Sequence, residues 1–170
     1  MTRIGRPVSQ SQSHINSKMR AILCDWLHEV QHKFRLPPAA LHLTVRLLDR
    51  FLESEQVKRN KLQLVGATAM WIAEQYMHVC KRGGRELGSC EDYVYICDKA
   101  YPEEEINAME RCMLKFFSRA GFPFSTPTAL STLSWLIRQV SFPSGSKSEL
   151  VAKYLVDLTL QAALVGGAYK

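Results

Sequence analysis

The stretch LQLVGATAMWIAEQYMHV, residues 62–79, carries a single formal charge, Glu74, and is apolar or small on nearly every side. A helix with so little polar surface cannot lie on the outside of a fold and must be surrounded by other elements. Gly66, Ala67, Ala69 and Ala73 are small enough to let neighbouring backbones approach closely. The pattern predicts a central helix, opened by Asn60 and Lys61, with the rest of the chain packed around it. No strand-like alternation occurs anywhere, so the expected fold class is all-α.

The flanking segments supply the surrounding helices. Asn16 or Ser17 suits the cap of a first helix running to about Lys33. Leu23, Leu27, Val30 and Phe34 form its core stripe, while Met19, Ile22, Leu23 and Trp26 lie around to one side. A helix this broadly apolar buries most of its girth or leaves a patch for a partner. Pro37 and Pro38 suit the first turn of a second helix, to about Glu53, lined by Leu41, Val45, Leu48 and Leu52. After the central helix, Gly83-Gly84 stops the chain and begins a polar loop. A short helix around DYVYICDKA follows, and Pro102 then opens a fifth, where Glu103, Glu104 and Glu105 complement the helix dipole. Ile106, Met109, Met113 and Phe116 are its expected buried stripe.

Beyond GFPFSTPT the pattern restarts. Thr126-Pro127 is read as the cap of a helix bearing Leu130, Leu133, Ile137 and Val140; FPSGSKS turns the chain. Leu150, Tyr154 and Leu158 line the next helix, which Gly166-Gly167 breaks. The expected organisation is a polar, extended or mobile lead-in over 1–16, a five-helix unit over 17–120, and two further helices over 121–170.

Composition excludes several classes. The net charge of +6, from 22 basic and 16 acidic side chains, permits nucleic-acid binding, but a solvated basic surface is the plainer reading. No apolar run is long enough to cross a bilayer, and the start of the chain lacks a leader-like apolar run, so no membrane contact and a cytoplasmic or nuclear home are expected. The five cysteines are irregularly spaced; a zinc set drawn from His78, Cys80, Cys90 and Cys97 lacks a C-x-x-C pair, so no metal is expected. Gly83-Gly84 lacks the phosphate-loop pattern, and His28, His32 and His42 read as surface or packing residues. Neither a catalytic set nor a cofactor is expected.

Several segments, in order, resemble the cyclin box of A- and B-type cyclins: MRAIL with DWLHEV (19–30), LHLTVRLLDRFL (41–52), KLQLVGATAMWIA (61–73), and YVYICDKAY with EEEINAMERCML (93–114). STPTA after the fifth helix resembles the hinge into the second repeat. The resemblance implies one complete five-helix box around a central helix, then the first two helices of a second box. It further implies a non-catalytic protein that binds and activates a cyclin-dependent kinase. In the family a helix precedes the first box; this chain starts too late to hold it, so a fragment, or a fold completed by a partner, is expected.

The resemblance also assigns residues. Met19, Ile22, Leu23, Trp26, Glu29 and Gln63 match the groove that docks RxL-type substrate and inhibitor peptides. A leucine would bury against the apolar four, an arginine would pair with Glu29, and Gln63 would bond the peptide backbone. On the residues alone, inward packing is the plainer reading of that stripe; the resemblance reverses the preference. Glu110 matches a glutamate that grips the kinase's αC helix. Its usual companions, a lysine and two acids on the third helix, are absent: the segment reads Gln75-Tyr76-Met77-His78. Arg20 and Asp49 match a structural ion pair between the first two helices. Two rival readings remain, a transcription-factor-IIB-type adaptor that the basic excess suits, and a cyclin-fold scaffold without kinase activation that the missing lysine suits.

Overall fold

The computed structural model describes residues 11–80, 87–140, 143 and 145–162. Among them the chain forms α1 (Ser17–Lys33), α2 (Pro38–Leu52), a 3-10 turn (Arg59–Lys61), α3 (Leu62–Cys80), α4 (Cys90–Ile96), α5 (Glu103–Arg119), α6 (Ala129–Gln139) and α7 (Lys147–Ala162). No described residue lies in a strand, so the all-α expectation holds. Residues 1–10, Gly83-Gly84, part of the FPSGSKS turn and Gly166-Gly167 lie outside the described residues.

The helix boundaries follow from local chemistry. Asn16 caps α1, its Oδ1 accepting the Met19 N–H at 2.9 Å. Pro37 precedes α2 and Pro38 occupies its first turn. Ser89 and Asp92 form a reciprocal capping box at α4. The cap of α6 is Thr128 rather than Thr126-Pro127. The Thr128 N–H donates to Ser131 Oγ (2.8 Å) and its Oγ1 accepts the Ser131 N–H (3.3 Å). Thr126 instead closes the preceding turn, its hydroxyl donating to the Pro123 carbonyl at 2.8 Å.

α3 runs through the middle, with every residue from Leu62 to Glu74 buried except Gln63, and packs on α1, α2, α4 and α5. Gly66 shows how tightly: a Cβ there would lie 2.9 Å from Leu23 Cδ1 of α1. On α5 the buried stripe is Ile106, Met113 and Phe117, with Met109 and Phe116 only partly buried. Phe117 takes the inner position because it packs against Phe122 and Phe124 of the following linker, while Phe116 meets Phe51 of α2 edge-on.

The lead-in departs from its reading as extended or mobile over the part that is described. Gln12 is buried, and its amide donates to the carbonyls of Leu52 (2.5 Å) and Glu55 (2.6 Å) and accepts the Val57 N–H (3.0 Å). The backbone leaving α2 has polar groups without helical partners, and one carboxamide satisfies three of them. Ile15 follows it into the core.

α6 and α7 pack on each other and against α2, yet α6 has no fully buried residue. Trp135 of α6, Val140 at its C-terminal cap, and Leu150, Tyr154 and Leu155 of α7 stay exposed. Polar ties hold this pair to the first five helices. Arg46 donates to the carbonyls of Thr126 (2.7 Å) and Pro127 (3.0 Å), and His42 Nε2 meets Asp157 Oδ1 at 2.8 Å. Gln161 donates to Asp25.

Candidate functional site

The side stripe of α1 lines a cleft of about 380 Å³. Met19, Ile22, Leu23 and Trp26 come from α1, Leu62 and Gln63 from the start of α3, and Arg59 from the 3-10 turn. Leu23 is the buried floor against Gly66, Met19 and Trp26 are partly buried walls, and Ile22 is 60% exposed. An apolar side chain that exposed, beside two half-covered ones, leaves surface for a ligand to cover. The Gln63 side chain makes no hydrogen bond among the described residues, so its carboxamide is available at the cleft. The structure thus brings Met19, Ile22, Leu23, Trp26 and Gln63 together. Glu29 does not line the cleft; it is exposed on α1 beyond Trp26 and forms no ion pair among the described residues. Arg59 and Leu62 went unnoticed in the sequence. Leu62 adjoins Gln63 and follows from the start of α3, but Arg59 sits in a 3-10 turn, where no helical periodicity points to it.

The second surface lies where the later part of α3 meets α5. Gln75 donates through Nε2 to Glu110 Oε1, so these two come together. His78 is exposed near the end of α3, and no described contact joins it to them. Next to Gln75, Glu74 is buried and accepts the Tyr93 hydroxyl (2.6 Å) and the Gly88 N–H (3.2 Å). The one charge in the interior of α3 therefore anchors the chain where it enters α4.

Arg20 and Asp49 form a bidentate pair, Nε to Oδ1 at 2.6 Å and Nη2 to Oδ2 at 2.7 Å, and Arg20 Nη1 also donates to the Leu160 carbonyl at 2.9 Å. The Arg20 side chain is fully buried. Burial works against its charge, but the hydrogen bonds and charge of Asp49 prevail and raise its pKa above the ordinary arginine value. The neighbouring Cys24 thiol is pushed up to about 11, chiefly by burial. Among the described residues no cluster of three metal-ligating side chains forms, and no helix is long and apolar enough to cross a membrane.

The family described as cyclin, N-terminal domain, matches residues 2–118. The G2/mitotic-specific cyclin-B of Hydra viridissima is 43% identical over 150 residues, covering 88% of this chain and 36% of that protein. Cyclin-B2-2 of Oryza sativa subsp. indica is 40% identical over 150 residues (88% and 33%), and cyclin-A2-4 of Arabidopsis thaliana is 38% identical over 156 (90% and 32%). The chain spans about a third of the length of these curated relatives. Among solved structures, a viral cyclin from herpesvirus saimiri superposes with a TM-score of 0.65 at 20% identity, over 81% of this chain and 56% of that one. That likeness is one of fold.

Proposed function

The chain belongs to the cyclin family, and on that premise we propose that it is a cell-cycle regulatory subunit that binds and activates a cyclin-dependent serine/threonine kinase and recruits RxL-type substrates. Relatives named as mitotic cyclins support the cell-cycle part of this reading. The observation that carries the recruiting part is the α1–α3 cleft, an exposed apolar surface beside an unengaged amide. A leucine of a docked segment buries against Met19, Ile22, Leu23 and Trp26, and Gln63 bonds its backbone. The α3–α5 surface around Glu110 presses the kinase's αC helix inward, completing the Lys–Glu ion pair that phosphoryl transfer needs. With the substrate held beside the active site, its effective concentration rises.

The test is a kinase assay with this chain and a purified cyclin-dependent kinase, using matched substrates with and without an RxL segment. Activation of both substrates, with an advantage for the RxL one that Trp26→Ala removes, supports both parts. Absence of any activation would favour the scaffold reading, for which one observation speaks: Gln75 replaces the usual lysine and is itself bonded to Glu110.

A further inference from the structure

Resting on the reading of the α1–α3 cleft as a peptide-docking groove, we infer that the groove selects segments carrying an acidic side chain, carboxylate or phosphate, beside the apolar anchor. Among the described residues, the only charged one lining the cleft is a cation, Arg59. It is exposed, and its guanidinium forms no hydrogen bond or ion pair among the described residues, while its carbonyl accepts the Leu62 N–H within the turn. Lys61, two residues further on, is already committed: it pairs with Glu105 and lies over the Tyr101 ring, 5.3 Å from its centroid.

 

Tyr101 in turn donates its hydroxyl to the Asn60 carbonyl at 2.8 Å, which pins the same turn from the α5 side. From the other side Gln12 holds the Leu52 and Glu55 carbonyls and the Val57 N–H, fixing the approach to the turn. Arg59 is therefore displayed at the cleft from a braced backbone, which lowers the ordering cost of pairing with a ligand. Lys18 and Lys58 stand exposed beside Met19 and Arg59 in the chain. Of the acids on α1, Asp25 accepts from Gln161 and Glu29 lies off the cleft lining, so neither neutralises Arg59 there. A guanidinium placed this way forms a bidentate pair with a carboxylate or a phosphate and repels a lysine.

The experiment is fluorescence polarisation with short synthetic peptides built on Arg-Ala-Leu, in which Asp, phosphoserine, Ala or Lys is walked along both flanks of the leucine. At low salt the best-placed Asp peptide should bind roughly fivefold tighter than its Ala counterpart and the Lys peptide weaker, as for an exposed ion pair. The preference should shrink as salt is added. The phosphoserine arm separates phosphate from carboxylate as the better ligand. In Arg59→Glu the order should invert, with Lys above Asp, and in Arg59→Gln it should flatten; circular dichroism checks that both variants fold. If Arg59→Glu kept the wild-type order, the inference would be overturned while the groove stood. If no peptide of any charge bound the folded wild-type chain, the groove reading would fall and the inference with it.

Discussion

Removing the Asp49 carboxylate isolates Arg20, the most deeply buried charge among the described residues. Arg20 is fully buried and its guanidinium makes three hydrogen bonds, two of them to Asp49 and one to the Leu160 carbonyl. Asp49→Ala leaves the guanidinium desolvated with only that carbonyl, and one-sided loss of a buried pair costs ~3–5 kcal/mol. The Asp49 side chain is itself 24% exposed, so water can reach the vacated site and the lower end of the range applies, about 3 kcal/mol. Urea unfolding followed by circular dichroism measures this directly. The double variant Arg20→Met, Asp49→Leu removes both charges and should recover most of the loss, because a well-packed apolar pair replaces the ionic one. A cost below about 1 kcal/mol for Asp49→Ala, the range of exposed pairs, would refute the reasoning.

Three further outcomes are expected. Trp26→Ala should weaken an RxL peptide by at least ~2 kcal/mol as a wall of the cleft, and Glu29→Ala by no more than ~1 kcal/mol as an exposed charge off the lining; polarisation titrations compare them. Gly66→Ala should displace Leu23, at a cost of ~1–3 kcal/mol in stability, partly offset by alanine's better helix propensity, and should weaken the same peptide because Leu23 is the cleft floor. Burial pushes the thiols of Cys24 and Cys97 up to about 11, so iodoacetamide should modify exposed Cys80 and Cys112 well before them. Because the folded state holds those two protons more tightly than the unfolded state, their contribution to stability should be full below the ordinary thiol value of 9.0 and be lost as the pH rises toward about 11.

Much of the architecture was legible because helical periodicity and small residues are local signals. The crowding of α3 follows from Gly66, Ala67, Ala69 and Ala73, and the stripe on α1 that lines the cleft is visible as spacing alone. What escaped were features made by contacts distant in sequence. Gln12 looks like any polar lead-in residue, and its role depends on backbone groups some 40 positions away. Phe117 replaces Phe116 at the inner position of α5 because the linker folds Phe122 and Phe124 back onto it. Gln75 reads as a neutral substitute for a lysine, and nothing local shows that its amide is bonded to Glu110. Arg59 lies in a 3-10 turn whose three residues carry no periodic face.

The three tryptophans occupy three unlike surroundings: Trp71 is buried against Tyr93 in the core, Trp26 is partly buried at the cleft, and Trp135 is 58% exposed on α6. Intrinsic fluorescence is thereby divided among regions of the molecule. Acrylamide reaches the α6 indole first, a docked peptide shields the one at the cleft, and core emission changes only when the packing around α3 gives way. Phe substitutions that leave one indole at a time would give each region its own optical signal without a label.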